Sequence, residues 1–391
     1  MNRTPSILTT IAASIFTASA LAAGPLAPVN TEQRAAAALI TVIENAGRAQ
    51  SVVAVIAADS TPYAQQVFNS LNAAAITASA LRNMPVGATR PCVNGGSFNV
   101  RMPRSLPRVL QIEWTNCQVI RWDPTTATGP GQITLFSDNF RPEQVAGIRL
   151  GESTRDLVIG IGSGDTFTVR TRNVRMTGLI PMFGPDYTVD SYTGYLYDIS
   201  GFVHDVSETA HFDVFNSAEN VAAMGVIANL QEGYYYDEEQ RLLWGKLATT
   251  QIDPNWGTLT NRIGVENLAV HRIYDYNAWT SSFAVDGAMD VEYPKGGRAG
   301  ELYGCRDGRF SARTVKPLFT PDMNAGHLQD SGEIRINGVA TARYYSASTT
   351  PPHLPAPTNG MLISLAVRDV GTFNYDEGGF PSPLVVAATC P

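Results

Sequence analysis

Ile334-Arg335-Ile336-Asn337-Gly338-Val339-Ala340-Thr341-Ala342-Arg343 has the sequence form of an antiparallel hairpin. Short alternating runs flank Asn-Gly, the pair that best tolerates the positive φ of a tight hairpin turn. The signature recurs. Phe283 and Val285 lead into Asp286-Gly287, and Met289, Val291 and Tyr293 follow; Met361, Ile363, Leu365 and Val367 alternate after Asn359-Gly360. Leu157, Ile159 and Ile161 alternate before Ser163-Gly164-Asp165, and Phe167 and Val169 after it. Val174 and Met176 then carry the apolar face with shifted parity, which places a β-bulge near Arg172-Asn173. Successive hairpins make antiparallel neighbours. The expected fold is therefore mainly β, a large antiparallel sheet arranged as a meander, a sandwich or a partly closed barrel, with one wet face.

Upstream the apolar period lengthens to that of a helix. Thr31 is placed to cap a helix from Glu32 to Asn45, with Ala37, Leu39, Ile40 and Ile43 on one side and Gly47 as its stop. Thr61-Pro62 then opens a second helix carrying Val67, Leu71, Ala74, Ala75 and Ala78. Residues 23–86 read as a helical hairpin packed on a β body of residues 87–391, which divides into two modules near 87–260 and 261–391. Residues 1–22 read as an export signal: Arg3, an apolar run from Ile7 to Leu21, and the small-x-small site Ala20-Leu21-Ala22. The expected location is the periplasm, the outer surface or the extracellular space. No later run has the length and apolarity of a transmembrane helix. A membrane β-barrel leaves only weak alternation; the helical start and the Thr389-Cys390-Pro391 ending argue against it.

Cys92, Cys117, Cys305 and Cys390 form an even set, which in an exported chain implies two disulfides in one of three pairings. Cys92-Val93-Asn94-Gly95 and Cys305-Arg306-Asp307-Gly308 are alike, each leading into a strand with Phe and Arg. If both are disulfide-anchored turns of duplicated modules, each closes on its own later cysteine, giving Cys92–Cys117 and Cys305–Cys390. Zinc is disfavoured, because no two cysteines are close and no histidine stands beside one at ligand spacing. The alanine-rich helical start, Cys92-x-x-Gly95-Gly96-Ser97 and Trp114-Thr115-Asn116-Cys117 together resemble a loose class of exported proteobacterial β-rich proteins with no agreed activity. That resemblance implies export and the first disulfide.

The net charge of −7 argues against nucleic acid as a partner. Charge is also segregated. Between Asp59 and Glu113 the only charges are Arg82, Arg90, Arg101, Arg104 and Arg108. Between Arg175 and Arg241 there is no cation, but Asp186, Asp190, Asp198, Asp205, Glu208 and Asp213 are followed by further acids, interleaved with tyrosines that include Tyr234, Tyr235 and Tyr236. Three partners can neutralise this belt: the chain's own basic segment, Ca²⁺, or the basic patch of a neighbouring copy in head-to-tail assembly. The spacing matches no EF-hand loop. Tyrosine beside carboxylate also suits a surface polysaccharide.

Catalytic signals are sparse. His211 and Asp213 share a strand face with His204 nearby, a conceivable metal set. No serine elbow, phosphate-binding loop or zinc-helix motif is present. The pattern predicts a structural or adhesive exported protein without catalysis, acting by self-assembly or by binding surface polymers. The alternatives are a carrier holding a lipid or sugar in an apolar cavity, and a polysaccharide hydrolase using carboxylates of the belt.

Overall fold

The computed structural model describes residues 24–376 except 120, 122–123, 142–143, 161–166, 173, 179–194, 201–202, 210–212, 229–234, 254–256, 295–304, 324–329 and 359. Over 50–61, most of 161–236, and 249–257, the backbone alone is described. Residues 1–22, expected from sequence to be an export signal, and Asp186, Asp190, His211 and Cys390 lie outside the described residues.

Thr31 caps the helix as its sequence predicts, accepting a hydrogen bond from Arg34 N at 3.2 Å. The helical hairpin needs correction, however. One helix, α1 (Glu32–Ala73), runs for 42 residues with Pro62 inside it, followed by the short α2 (Ala78–Arg82). Gly47 does not stop α1. A Cβ there would meet Arg272 Nη2 at 3.3 Å, so this glycine lets the sheet approach the helix. Pro62 costs about 3 kcal/mol inside a helix, but Tyr63, Ala64, Val67, Phe68 and Leu71 beyond it are all buried. Ala35 to Ala38 are also fully buried, so this part of α1 is enclosed on every side. At 1.5 Å per residue α1 is about 63 Å long.

The strands form a sequential meander. β1 (Ala88–Pro91), β2 (Ser97–Arg101), β3 (Val109–Cys117) and β4 (Thr126–Leu135) pair in order. Three split rows follow: β5 (Val145–Leu150) with β6 (Leu157–Gly160), β7 (Phe167–Arg172) with β8 (Val174–Gly178), and β9 (Tyr195–Ser200) with β10 (Val203–Thr209). β7 ends at Arg172 and β8 begins at Val174, the stretch where the parity slip is read from sequence. Both halves of the last row pair with β11 (Asp213–Ala228). From there β12 (Tyr235–Asp253), β13 (Gly257–Asp275), β14 (Thr280–Glu292), β15 (Gly308–Thr320), β16 (Ser331–Ile336), β17 (Ala340–Ser346), β18 (Met361–Val367) and β19 (Gly371–Asp376) pair each with the next. All the pairings between these strands are antiparallel; an isolated parallel bridge joins Leu26 to Arg309. Among the described residues β1 and β19 do not pair, so the sheet is not a closed barrel. β13 spans the position near 260 where the sequence suggests a module boundary.

The sheet curls around α1. The helix packs on β11, β13, β14, β15, β16 and β18. Its start meets the last strand through Tyr375 OH and Glu32. Its end reaches the first strands, where Arg90 Nε donates to Ser70 Oγ at 3.2 Å and Asn72 Nδ2 donates to Phe140 O at 2.8 Å. Strand alternation then sorts the residues. Leu259, Ile263, Val265 and Val270 face the helix side, while Arg262, Glu266, Asp290 and Glu292 are exposed on the outer face. The outer charges are set across strands: Arg262 stands opposite Glu292 and Asp290 opposite Arg309, and Arg309 also reaches Glu266 at 2.5 Å. Such pairs contribute roughly 0.2–1 kcal/mol each.

Glu333 shows the same device at greater depth. Burial alone would raise its carboxyl, but bonds and charge from Arg343 (2.8 Å) and Arg335 outweigh this and hold it below the usual carboxylate range. A depressed folded-state value adds stability above the unfolded value, which is lost as pH falls through the folded one. Glu333→Gln should therefore show a smaller loss of stability than wild type between pH 6 and the acid limb below about pH 4, read by urea unfolding at each pH.

At Asn337-Gly338 the hairpin forms as read, with φ of 51° and 65°. Asp286-Gly287 is a correction: β14 runs straight through it. Gly287, at φ 123°, lies against the β13 backbone where Asn267 and Leu268 bulge, and a Cβ would collide with Asn267 O. Thr314 Oγ1 patches the other side, donating to Val285 O and accepting from Val285 N, both at 2.8 Å. Gly287→Ala should cost about 2–4 kcal/mol in urea unfolding; a cost below about 1 kcal/mol, within the range of ordinary surface substitutions, would contradict this geometry.

Two further features lock the fold. Cys92 and Cys117 are disulfide-bonded, with Cα atoms 5.5 Å apart. Cys305 is disulfide-bonded as well; its expected partner Cys390 lies outside the described residues. Both cysteine turns feed a strand as anticipated, and in both the residue two positions after the cysteine clasps neighbouring backbone. Asn94 Nδ2 donates to Val119 O at 2.8 Å, and Asp307 Oδ1 accepts from Tyr293 N at 2.6 Å. Beside the second turn, Arg306 is 2% exposed and joins sheet to helix: it pairs with Glu44, donates to Thr41 Oγ1 at 3.2 Å and to Tyr293 OH at 2.9 Å, and lies over the Tyr293 ring at 4.7 Å. Asn45 Nδ2 also donates to Tyr293 OH, at 2.8 Å. Burial pushes the Tyr293 phenol up more than Arg306 lowers it, so it stays neutral and accepts both bonds.

Candidate functional site

The inner row of β13 passes from core to solvent. Val270 is fully buried, Arg272 and Tyr274 are half-buried, and beyond the strand Tyr276 and Trp279 are 43% and 48% exposed. Residues 276–279 form the turn to β14. Asp275 builds it locally, its Oδ1 accepting from Asn277 N at 2.9 Å and Ala278 N at 3.0 Å. Trp279 holds φ at 54°, a left-handed conformation that is uncommon for a bulky residue, and Met323 N braces it by donating to Trp279 O at 2.8 Å. Three rings result. Tyr274 and Tyr276 lie 6.1 Å apart and 20° from parallel, and Tyr276 meets Trp279 edge-on at 6.4 Å and 83°. Arg272 anchors the base: its guanidinium lies 5.8 Å from the Tyr274 ring and 5.6 Å from Phe283, with Gly47 of α1 against it.

Of the tyrosines singled out from sequence, Tyr236 stands opposite Tyr274 and Tyr235 opposite Asp275, so this part of the acidic, tyrosine-rich belt reaches the same tip. Asp237 pairs with His271 at 2.7 Å nearby. Asp198, Asp205, Glu208 and Asp213 are spread over β9, β10 and β11. In register, Asp205 stands opposite Arg170. Among the described residues no group of three or more histidine, cysteine or acidic side chains could hold a metal.

The basic stretch is likewise dispersed. Arg82 donates to Pro107 O and pairs with Asp138; Arg104 Nη2 donates to Asn83 Oδ1 at 2.8 Å; Arg90 holds the helix end. Arg101 and Arg108 are exposed. Three of the five thus secure α2 and the β2–β3 loop, or the end of α1.

Tyr274, Tyr276 and Trp279 escape the sequence reading because Asp-Gly at 286–287 is the stronger turn signal and draws the hairpin to the wrong place. The usable signal is Asp275-Tyr276-Asn277, an Asx-turn beginning at the end of an apolar run. Neither a family model, nor a curated protein, nor a solved structure matches the chain. The class the geometry defines is an antiparallel meander curled on a single N-terminal helix, with an aromatic hairpin tip beyond the core.

Proposed function

We propose that the protein is a structural or adhesive protein of the cell envelope or extracellular space that acts by contact with surface polymers and not by catalysis. The observation that carries this is the aromatic tip. Tyr276 and Trp279 are exposed together, beside the half-buried Tyr274, on a hairpin held against the helix by Arg272. Clustered exposed aromatics mark contact surfaces. Against a carrier role, α1 packs directly on the sheet, with Ala35 to Ala38, Ala46, Ala49 and Ala64 all buried. Contact by ring stacking is not screened by salt, whereas assembly through the acidic and basic segments is. Purified protein should therefore co-sediment with envelopes isolated from the organism that makes it, and retention should persist at high salt. No retention, or retention abolished by salt, would contradict this reading.

A further inference from the structure

We propose that Tyr274, Tyr276 and Trp279 form a stacking site for an uncharged glycan of equatorially substituted pyranoses, such as a β-linked glucose or N-acetylglucosamine chain. The inference rests on the adhesive reading and names its ligand. Such sugars expose flat C–H faces that pack on aromatic rings, and hydroxyl rims that need acceptors and donors. The tip offers both. Tyr276 and Trp279 set two ring planes at nearly a right angle, so a pyranose lying on one meets the edge of the other. Tyr274 extends the surface almost parallel to Tyr276. Asn277 and Asp322 are exposed beside the rings, Asp322 preceding the Met323 that braces the turn.

Charge decides between a glycan and a lipid surface. Aromatic segments that enter anionic membranes carry Lys or Arg at the interface. Here Arg272 is turned against Gly47 and the bases of the rings, and Asp322, exposed and acidic, lies near the turn. Turn closure fixes the presentation of the ring. Trp279 ends the loop in the left-handed conformation, as Asn337 and Asp369 do in the turns at Asn337-Gly338 and before β19, and its side chain is left 48% exposed.

Cellohexaose and chitohexaose, titrated calorimetrically into the mature protein, test the site, with phosphatidylglycerol vesicles as the comparison. Wild type should bind at least one hexasaccharide. Trp279→Gly and Tyr276→Ala should each weaken it about tenfold, the loss expected for one stacked ring. Trp279→Gly also relieves the positive φ, which offsets part of the lost ring packing, so it should still melt cooperatively and within about 5 °C of wild type, which separates lost binding from lost folding. Wild type that binds neither sugar, variants that bind as wild type does, or binding to vesicles alone would each overturn the proposal. Envelope retention without hexasaccharide binding would remove the glycan assignment and leave the adhesive reading standing; loss of both would remove both.

Discussion

Arg306→Ala should lower the stability of the chain by about 3–5 kcal/mol, the usual cost of removing one partner of a buried ion pair. Three losses coincide. Glu44, which also pairs with Arg48 on the next helical turn, loses its buried partner. The Tyr293 ring loses the guanidinium packed on it, and Thr41 Oγ1 loses its donor. The pairing itself adds little net energy, because two charges are desolvated to form it. Arg306→Met combined with Glu44→Leu, which replaces charge by apolar volume, should therefore recover most of the loss. Urea midpoints for the three proteins decide it. A single mutant within about 1 kcal/mol of wild type, the cost of an ordinary surface change, would mean that helix and sheet are not joined at this point.

Cys92→Ala with Cys117→Ala should cost about 3.5 kcal/mol, the chain-entropy value for a loop of this size; the two positions are 25 apart in sequence. The bond closes β1 onto the end of β3, and the surrounding turn is already tight. Gln118 N donates to Gly95 O at 2.9 Å and Asn94 N to Gln118 O at 3.1 Å. Gly96 sits at φ 71° with its Cα against the Asn116 carbonyl, so no other residue fits without distortion. Unfolding of the double mutant, compared with wild type without reductant, should show the loss. An unchanged midpoint would mean that the turn holds by itself.

Much of the fold is legible in the sequence because it is periodic. Period-two runs such as Leu157–Ile159 and Ile334–Ile336 give strands, and Asn337-Gly338 supplies a local turn that tertiary packing has no reason to override. Thr31 marks the start of α1 for the same reason. Errors arise where tertiary contact outweighs local chemistry. Gly47 and Thr61-Pro62 carry the marks of a stop and a start, but a helix enclosed by a curled sheet gains more from continuing than it loses at one proline. Asp286-Gly287 carries the mark of a turn, yet its glycine is needed for close approach to the Asn267 bulge. The aromatic tip is hidden by that competing signal, and by Trp279 occupying a conformation that no propensity favours. The disulfide between Cys92 and Cys117 was reachable through the likeness of two short cysteine turns, which the clasping roles of Asn94 and Asp307 now explain.

Hydrogen exchange on the protein bound to its organism's envelope polymers tests the contact surface most directly. Protection confined to residues 272–282, with the strands beneath unchanged, is the predicted result. Protection spread along the acidic β9–β11 rows or over Arg101 and Arg108, with 272–282 unaltered, would contradict the account and return the charged segments as the contact surface.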